Sequence, residues 1–448
     1  MASVAEQLAA NINLGVFAKA TELKKRLWFT LGCLVVYRLG TYIPLPGIDA
    51  EVMAQIFEQQ QGGILGMFNM FAGGALKRMS IFALGILPYI SASIIMQLMT
   101  AVSPTLEQLK KEGEVGRKKI NQYTRYLTVA LSIFQAYGLA LGLEAMTGPS
   151  GSAVIDPGWF FRATTVITIV GGTMFLMWLG EQITARGVGN GISLIIFTGI
   201  IAQLPAALAA LLELGRTGAM SAFSIVAFLV MAVAVITFIV FMERAHRRIV
   251  VQYPKRMVGG GRMVGGEASH MPIKINISGV IPIIFASSLL LLPSSIGGFS
   301  GGRGPDWLLT ITAILGPGQP LHLLLYAALI IFFAFFYTSV VFNPKETAEN
   351  LKKHGGFIPG IRPGERTAQY LDYVITRLTA VGAIYLAIVA VLPRILISQY
   401  GVPFFFGGTS LLIVVSVTMD TMAQIQSHLI AHQYEGLIKK ARLRGARR

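Results

Sequence analysis

Residues 222–242, AFSIVAFLVMAVAVITFIVFM, form an uncharged apolar run that ends at Glu243 and Arg244. A helix rises about 1.5 Å per residue, so about 20 residues cross the roughly 30 Å of hydrocarbon in a bilayer. The run is therefore typical of a membrane-spanning helix. With 54% hydrophobic residues overall, the chain predicts one helical membrane domain instead of several soluble ones. Nine further spans are predicted at residues 27–44, 79–100, 126–146, 163–180, 190–212, 275–293, 321–342, 374–393 and 404–426.

Basic residues alternate between the two sides of these spans. Of the 37 Lys and Arg residues, 30 lie in the N-terminal segment, the C-terminal tail and every second loop. Cytoplasmic loops carry the excess of Lys and Arg, so both chain ends are predicted to be cytoplasmic, which requires an even number of spans. We call this the basic side and the other the opposite side. The remaining seven basic residues are Arg38, Lys77, Arg78, Arg162, Arg216, Arg303 and Arg394.

The sequence lacks the motifs expected for nucleotide binding, zinc catalysis and disulfide formation. There is no GxxxxGK[ST] phosphate-binding loop, and the glycine-rich residues 187–191 predict only a tight turn between two spans. His428 and His432 lie four residues apart without an HExxH motif. The single cysteine, Cys33, predicts an apolar packing residue. No small-residue cleavage site follows the first span, so no cleavable signal peptide is expected.

Charge inside the predicted spans is scarce. Ion-coupled carriers place ionisable relays in the membrane, although each such group costs about 2.5–3.5 kcal/mol on insertion scales. Here the clearest acid within a span is Asp420, and the first span holds Arg38 near its outer end. The sequence thus predicts neither an ATP site nor an ion relay, and the energy for any transport is expected to come from a partner.

Three classes of function remain open from the residues alone: a channel, a transporter of a small solute, and an intramembrane enzyme. A transporter needs a polar site at the bilayer midplane, with half-helix ends directed at the ligand. An enzyme needs paired acids or histidine-bound zinc within the spans. The scarcity of charge in the spans favours the channel.

A short apolar segment, GGILGMFNMFAGG at residues 62–74, precedes the second span. It is too short to cross a bilayer, and the glycine pair at each end lets the backbone turn. The segment predicts a half-helix inside the helix bundle, because irregular backbone at membrane depth needs protein or water around it. The alternative is an amphipathic helix on the membrane surface.

The second and seventh spans share a pattern of isoleucine, proline and small residues. Ile86 and Ile90 are four residues apart and share one helix face, and Pro88 between them favours a bend. Pro205 and Pro393 predict breaks in the fifth and ninth spans. Periodicity alone does not distinguish isoleucines that line a pore from those that face lipid or pack between helices.

Two loops on the basic side are too long to serve only as connectors. In residues 243–275 a strand at 248–253 and a glycine turn at 259–261 predict a hairpin. In residues 343–373 a helix from Lys345 to His354 is followed by Arg362, which lies between two Pro-Gly pairs, and a second helix starts at Glu365. The charges alone would satisfy membrane topology, but the predicted folding favours docking of ribosomal RNA or an acidic protein.

These stretches resemble a known family. The chain is similar to the SecY family, which includes Sec61-alpha and forms the central channel of protein translocases, over nearly its whole length. The resemblance implies an all-α membrane protein with ten transmembrane helices in two inverted five-helix halves, residues 1–215 and 216–448, around an hourglass pore. The matching stretches are residues 43–49, 67–75, 84–97, 113–125, 172–191, 247–253, 358–366 and 406–414.

The resemblance also implies roles for individual residues. The apolar ring at the pore's waist would contain Ile86, Ile90, Ile196, Ile284 and Ile413. A plug beneath the ring, at about residues 64–75, would include Ile64, Met67, Phe68, Asn69, Phe71, Gly73 and Gly74. A lateral gate between spans 2/3 and 7/8 would include Ser91, Gln135 and Leu292. Contacts with a motor or ribosome would involve Arg248, Lys255, Arg256, Arg362 and Arg366.

The implied function is that of a channel, with no catalytic residue, cofactor or metal. It would translocate unfolded secretory polypeptides across the bacterial cytoplasmic (inner) membrane and release hydrophobic segments laterally into it. The implied partners are the SecE and SecG subunits, the SecA motor ATPase, the ribosome with its nascent chain, precursor proteins with signal sequences, and membrane lipids.

Overall fold

The structure is a computed structural model. It describes residues 20–59, 69, 72–148, 151–218, 221–253, 256–258, 262–264, 268–299, 319–400 and 408–445.

Helices dominate the described chain. The first eight are α1 (Thr21–Gly40), α2 (Ala50–Gln59), α3 (Leu87–Val102), α4 (Pro104–Lys111), α5 (Glu114–Ala145), α6 (Trp159–Arg186), α7 (Gly191–Ile201) and α8 (Leu204–Arg216). The others are α9 (Ala222–Arg244), α10 (Ile281–Phe299), α11 (Pro320–Val341), α12 (Pro344–Lys353), α13 (Glu365–Tyr400) and α14 (Gly408–Gly445).

Short strands form three two-stranded antiparallel sheets. They pair β1 (Thr147–Gly148) with β2 (Gly151–Ser152), β3 (His246–Gln252) with β6 (Ala268–Lys274), and β4 (Arg256–Val258) with β5 (Arg262–Val264). The predicted hairpin in residues 243–275 is therefore confirmed, with a longer first arm than expected.

Helices lie at all ten positions predicted for spans. Among the described residues, six helical stretches are long and apolar enough to cross a membrane. A seventh crossing results if α3 and α4, which meet at 98°, are counted as one. The exact number of ten crossings stays a prediction.

Three local expectations met different outcomes. The second span does not begin as a helix at residue 79, because the chain runs through turns from residue 72 to 86 and Pro88 lies in the first turn of α3. Proline suits that position because its missing N–H would be unpaired there anyway. The break at Pro205 is confirmed, since α7 ends at Ile201 and α8 starts at Leu204. The break at Pro393 is wrong, since α13 continues through it.

The helices pack as two groups. In the first group α1 packs on α6 and α7, α5 packs on α3 and α6, and α7 packs on α6 and α8. In the second group α11 packs on α10 and α13, and α14 packs on α9 and α13. Between the groups, α10 contacts α3 and α5, α14 contacts α1 and α7, and α8 contacts α9.

Ion pairs fix the two ends of the contact between α5 and α6. On the basic side Arg125 contacts Glu181 at 2.7 Å, and near the opposite side Arg162 contacts Glu144 at 2.6 Å. Both arginines donate two hydrogen bonds to their carboxylates. Such charge-assisted pairs hold the relative position of the two helices.

Glycines set how closely α6 approaches its neighbours. A Cβ on Gly172 would collide with the backbone carbonyl oxygen of Ile81, in the turn segment before α3. The adjacent Gly171 is exposed and has open space at its Cβ position. Gly172 therefore allows the turn segment to lie directly against α6.

We expect Gly172→Ala to destabilise the protein by about 1–3 kcal/mol, since the added methyl group forces the two backbones apart. The matched control Gly171→Ala should leave stability unchanged or raise it by up to about 1 kcal/mol through helix propensity. Thermal unfolding in detergent would measure both variants. Equal unfolding midpoints for the two would contradict the close approach.

Candidate functional site

The five predicted ring isoleucines lie in one apolar core. Ile86 is the N-cap of α3 and Ile90 lies in its first turns, whereas Ile196 lies in α7, Ile284 in α10 and Ile413 in α14. Each is at most 8% exposed, and all belong to the same cluster of buried residues. The structure thus brings together side chains from both helix groups, and their role as a pore ring stays a prediction.

A cavity of about 450 Å³ lies between the start of α7 and the middle of α14. Its lining residues Ser193 and Val417 lie one helical turn from Ile196 and Ile413, so it lies near two of the five predicted ring residues. The lining is mostly polar and consists of Asn190, Ser193, Val417, Asp420, Thr421, Ala423, Gln424 and Ser427.

The predicted plug is described only in part. Ile64, Met67, Phe68 and Phe71 lie outside the described residues. We call Asn69 and residues 72–79 the plug root. Ala72, Ala75, Leu76 and Met79 of the root belong to the same apolar core as the ring isoleucines. The predicted half-helix does not extend to residue 75, because residues 72–79 form turns.

Side chains from the first helix group bind the backbone of the plug root. Arg38 Nη1 donates to Gly73 O at 2.7 Å, and the Tyr37 hydroxyl donates to Ala72 O at 3.4 Å. Gln203 Nε2, from the break between α7 and α8, donates to Asn69 O at 3.0 Å. Sequence reasoning missed all three donors, although an arginine inside a predicted span was a signal that it needed a partner.

Two glycines bring the plug root against α7. Gly73 has φ +67°, a conformation that favours glycine, and its Cβ position would lie 2.9 Å from the Cα of Gly199. The Asn69 side chain adds a local bond, since Lys77 N donates to its Oδ1 at 2.9 Å. The root is therefore held by backbone contact as well as by side-chain donors.

The predicted lateral gate lies where α10 packs on α3 and α5. Ser91 in α3 and Gln135 in α5 are buried, and Leu292 lies in α10 with its side chain outside the described residues. Within the described part of the chain, Gln135 Oε1 and Ser288 Oγ of α10 are buried without a hydrogen-bond partner. Such unpaired buried polar groups cost free energy in the helices that form the predicted gate.

The two long loops on the basic side fold into one unit. Gln252 and Phe357 exchange two backbone hydrogen bonds at 2.8 and 2.9 Å, which join the hairpin to the second loop. We call the β3–β6 hairpin and residues 343–378 the basic-side unit. Its separate small core consists of Ile249, Ile273, Ile358, Leu371, Val374 and Ile375.

The predicted contact residues lie on the surface of this unit. Arg248, Arg362 and Arg366 are exposed. Glycines with φ of +79° and +107°, Gly360 and Gly364, flank Arg362, and Thr367 Oγ1 donates to Arg362 O at 3.0 Å. Arg362 therefore lies in a turn between two glycines with positive φ. Arg256 lies in β4 with its side chain outside the described residues, and Lys255 also lies outside them.

The most buried acid near a span end is Glu243, which sequence reasoning placed just outside the sixth span. Glu243 is 9% exposed, and Asn276 Nδ2 donates to its Oε1 at 2.7 Å. By contrast, the Asp420 side chain is 70% exposed and lies 3.8 Å from Lys274 Nζ. Glu243 and Asn276 thereby join the two ends of the loop between α9 and α10.

Comparison with known proteins identifies the family. The SecY family model matches residues 80–422 of this chain. The protein translocase subunit SecY of Escherichia coli strain K12 is 58% identical over 425 residues, which cover 95% of this chain and 96% of that protein. The chain belongs to the SecY family.

Solved structures share this SecY fold. The chain superimposes with a TM-score of 0.64, at 21% identity, on a SecY structure whose plug domain is described as stabilising the closed state of the translocation channel and maintaining a membrane seal. The match covers 91% of this chain and 92% of that one. Sec61 in the canine ribosome-channel complex from the endoplasmic reticulum gives a TM-score of 0.59 at 19% identity, with the same coverage. Membership in the SecY family makes the chain a multi-pass membrane protein.

We expect Ile358→Ala to loosen the basic-side unit by about 2–4 kcal/mol, because it removes apolar volume from a small buried core. Limited proteolysis of the chain in detergent would show faster cleavage within residues 243–275 and 343–373. The control is Phe357→Ala, which truncates an exposed neighbour and keeps the backbone bonds to Gln252. Equal cleavage rates for the two variants would contradict a shared core.

Proposed function

We propose that this chain is the channel through which unfolded secretory polypeptides cross the bacterial cytoplasmic membrane. The observation that carries the proposal is the position of Ile86, Ile90, Ile196, Ile284 and Ile413. They come from both helix groups and share one buried apolar core with the plug root, in a chain of the SecY family. A narrow apolar ring excludes water and ions while it contacts a passing chain without sequence-specific bonds.

The lateral gate and plug supply the other two steps. A signal sequence enters between α10 and the α3–α5 pair, where it competes with the contacts of α10 with these two helices. Parting of these contacts opens a path for apolar segments into the lipid, because such segments are more stable in hydrocarbon than in the pore. Displacement of the plug then clears the ring for polar segments.

The energy for transport comes from partners that dock on the basic-side unit. SecA or a translating ribosome would contact Arg248, Lys255, Arg256, Arg362 and Arg366, and a solved Sec61 relative is described in a ribosome-channel complex. A rigid basic tip suits RNA phosphate or acidic side chains. SecE and SecG complete the assembly, and the chain itself has no catalytic role.

The orientation follows from the positive-inside rule, with both chain ends in the cytoplasm and ten crossings. The two halves are residues 1–215 and 216–448, and their division agrees with the two packed helix groups. A secondary transporter of a small solute is the less favoured alternative, because the residues around the predicted ring are apolar and the SecY relatives are protein translocase subunits.

We expect Arg362→Glu to lower ATP-dependent precursor translocation at least about tenfold, since like charges at a docking contact cost several kcal/mol. The assay is protease protection of an unfolded precursor in liposomes containing the chain, SecE, SecG and SecA. Lys353→Glu is the matched control, because it makes the same charge change on exposed α12 of the same loop, away from the tip.

Each outcome of this assay has a distinct meaning. If liposomes with the wild-type chain protect no precursor, the result would argue against the channel function and favour the alternative of a small-solute transporter. Normal protection of the precursor by Arg362→Glu would agree with the channel function but show that Arg362 does not contact the motor. An equal loss of translocation in Arg362→Glu and Lys353→Glu would show that the effect comes from the change in net charge and not from a specific contact of Arg362.

We expect serine at Ile196 and Ile284 together to raise ion conductance severalfold, because hydroxyl groups and lost volume let water into the ring. Planar-bilayer recording of the purified complex would measure the conductance. Leucine at the same two positions keeps the ring apolar and should leave conductance at the wild-type level. If the serine variant conducts no more than the leucine variant, these side chains do not form the seal.

A further inference from the structure

Arg38 is the feature that the proposed function leaves unexplained. It lies in α1, within a predicted span, where an ionised side chain costs a few kcal/mol unless partners offset that cost. Its Nη1 lies 2.7 Å from Gly73 O and 3.5 Å from Thr41 Oγ1, and its guanidinium lies 5.2 Å from the centre of the Tyr42 ring. The strongest of these partners is a backbone carbonyl of the plug root.

The plug root has backbone groups that need such partners. Residues 72–86 form turns instead of a helix, so their carbonyls lack the regular helical bonds of a span. The carbonyls of Asn69 and Ala72 accept backbone bonds from Gly74 N at 2.9 Å and Ala75 N at 3.2 Å, and Gln203 and Tyr37 add side-chain donors to them. Among the described residues, Gly73 O is instead paired by Arg38. A buried carbonyl left unpaired costs free energy, and the bond from a guanidinium is stronger than one from a neutral donor.

All three donors belong to the first helix group. Tyr37 and Arg38 lie in α1, and Gln203 lies between α7 and α8. The predicted lateral gate, in contrast, separates α10 from α3 and α5. A parting of that gate moves the second group and leaves these three bonds intact, so the plug root must be released in a step of its own.

We propose that Arg38, with Tyr37 and Gln203, is a clamp that holds the plug root in the closed position. The proposal rests on the channel function proposed above. Arg38 is a positioning residue in it, because it acts on the pore through the backbone of Gly73. Loss of the clamp should favour opening of the resting channel while the translocation path itself stays complete.

The test is the resting ion conductance of the purified translocase complex in planar bilayers, without precursor or motor. We expect Arg38→Met to raise it about tenfold or more, which corresponds to about 1.4 kcal/mol of lost preference for the closed state. Arg38→Lys keeps a charged donor and should restore most of the seal. Gln203→Leu removes a neutral donor from another segment and should give a smaller rise.

Arg216→Met is the matched control. Arg216 lies on the same predicted side of the membrane as Arg38, at the exposed end of α8, and its guanidinium bonds Glu213. Its loss should leave resting conductance unchanged. An equal rise in Arg216→Met and Arg38→Met would overturn the clamp in favour of a general effect of charge on that side.

Precursor translocation in liposomes separates the clamp from the channel function. If wild type translocates and Arg38→Met is as well sealed as wild type, the clamp is wrong and the channel stands. If wild type translocates no precursor, the channel itself fails. If Arg38→Met leaks but also loses translocation, Arg38 supports the fold in general and the clamp is overturned. Retained translocation with a raised resting conductance supports it.

Discussion

Backbone N–H and C=O groups inside a bilayer must find hydrogen-bond partners within the protein. In the non-helical segment before α3, the partners come from the chain that follows α1 and from the segment itself. Leu45 N donates to Met79 O at 2.8 Å, and Ile81 N donates to Ile43 O at 3.0 Å, so the segment pairs with the chain that follows α1. Other groups bond within the segment, as Ser80 N does to Ala75 O at 2.9 Å. Only with these bonds in place is irregular backbone stable next to the apolar core.

The rest of the core depends on this segment. Gly172 lets it lie against α6, and Gly73 and Gly199 bring it against α7. Ile86 ends the segment and starts α3, which fixes the first predicted ring residue relative to the plug root. The other four predicted ring isoleucines and the plug root belong to the same apolar core.

The sequence predicted those features that depend on local chemistry. Apolar length predicted helices at every span position. The helix predicted from Lys345 to His354 is confirmed as α12, where Asn343 Oδ1 accepts from Lys345 N at 3.1 Å. Features that depend on contacts between distant segments were missed. The bond from Gln203 to Asn69 joins residues 134 positions apart, and no pattern near Gln203 indicates it. Pro393 was a wrong break signal, since α13, which packs on α11 and α14, continues through it.

The long helix α13 has a mechanical consequence. It has 36 residues from Glu365 to Tyr400, which corresponds to about 54 Å without interruption. Leu371, Val374 and Ile375 near its start belong to the core of the basic-side unit, and its later turns pack on α11 and α14. The basic-side unit is therefore connected to the membrane-spanning helices through one long continuous helix. A displacement of the basic-side unit is carried by this one continuous helix to α11 and α14, on which α13 packs.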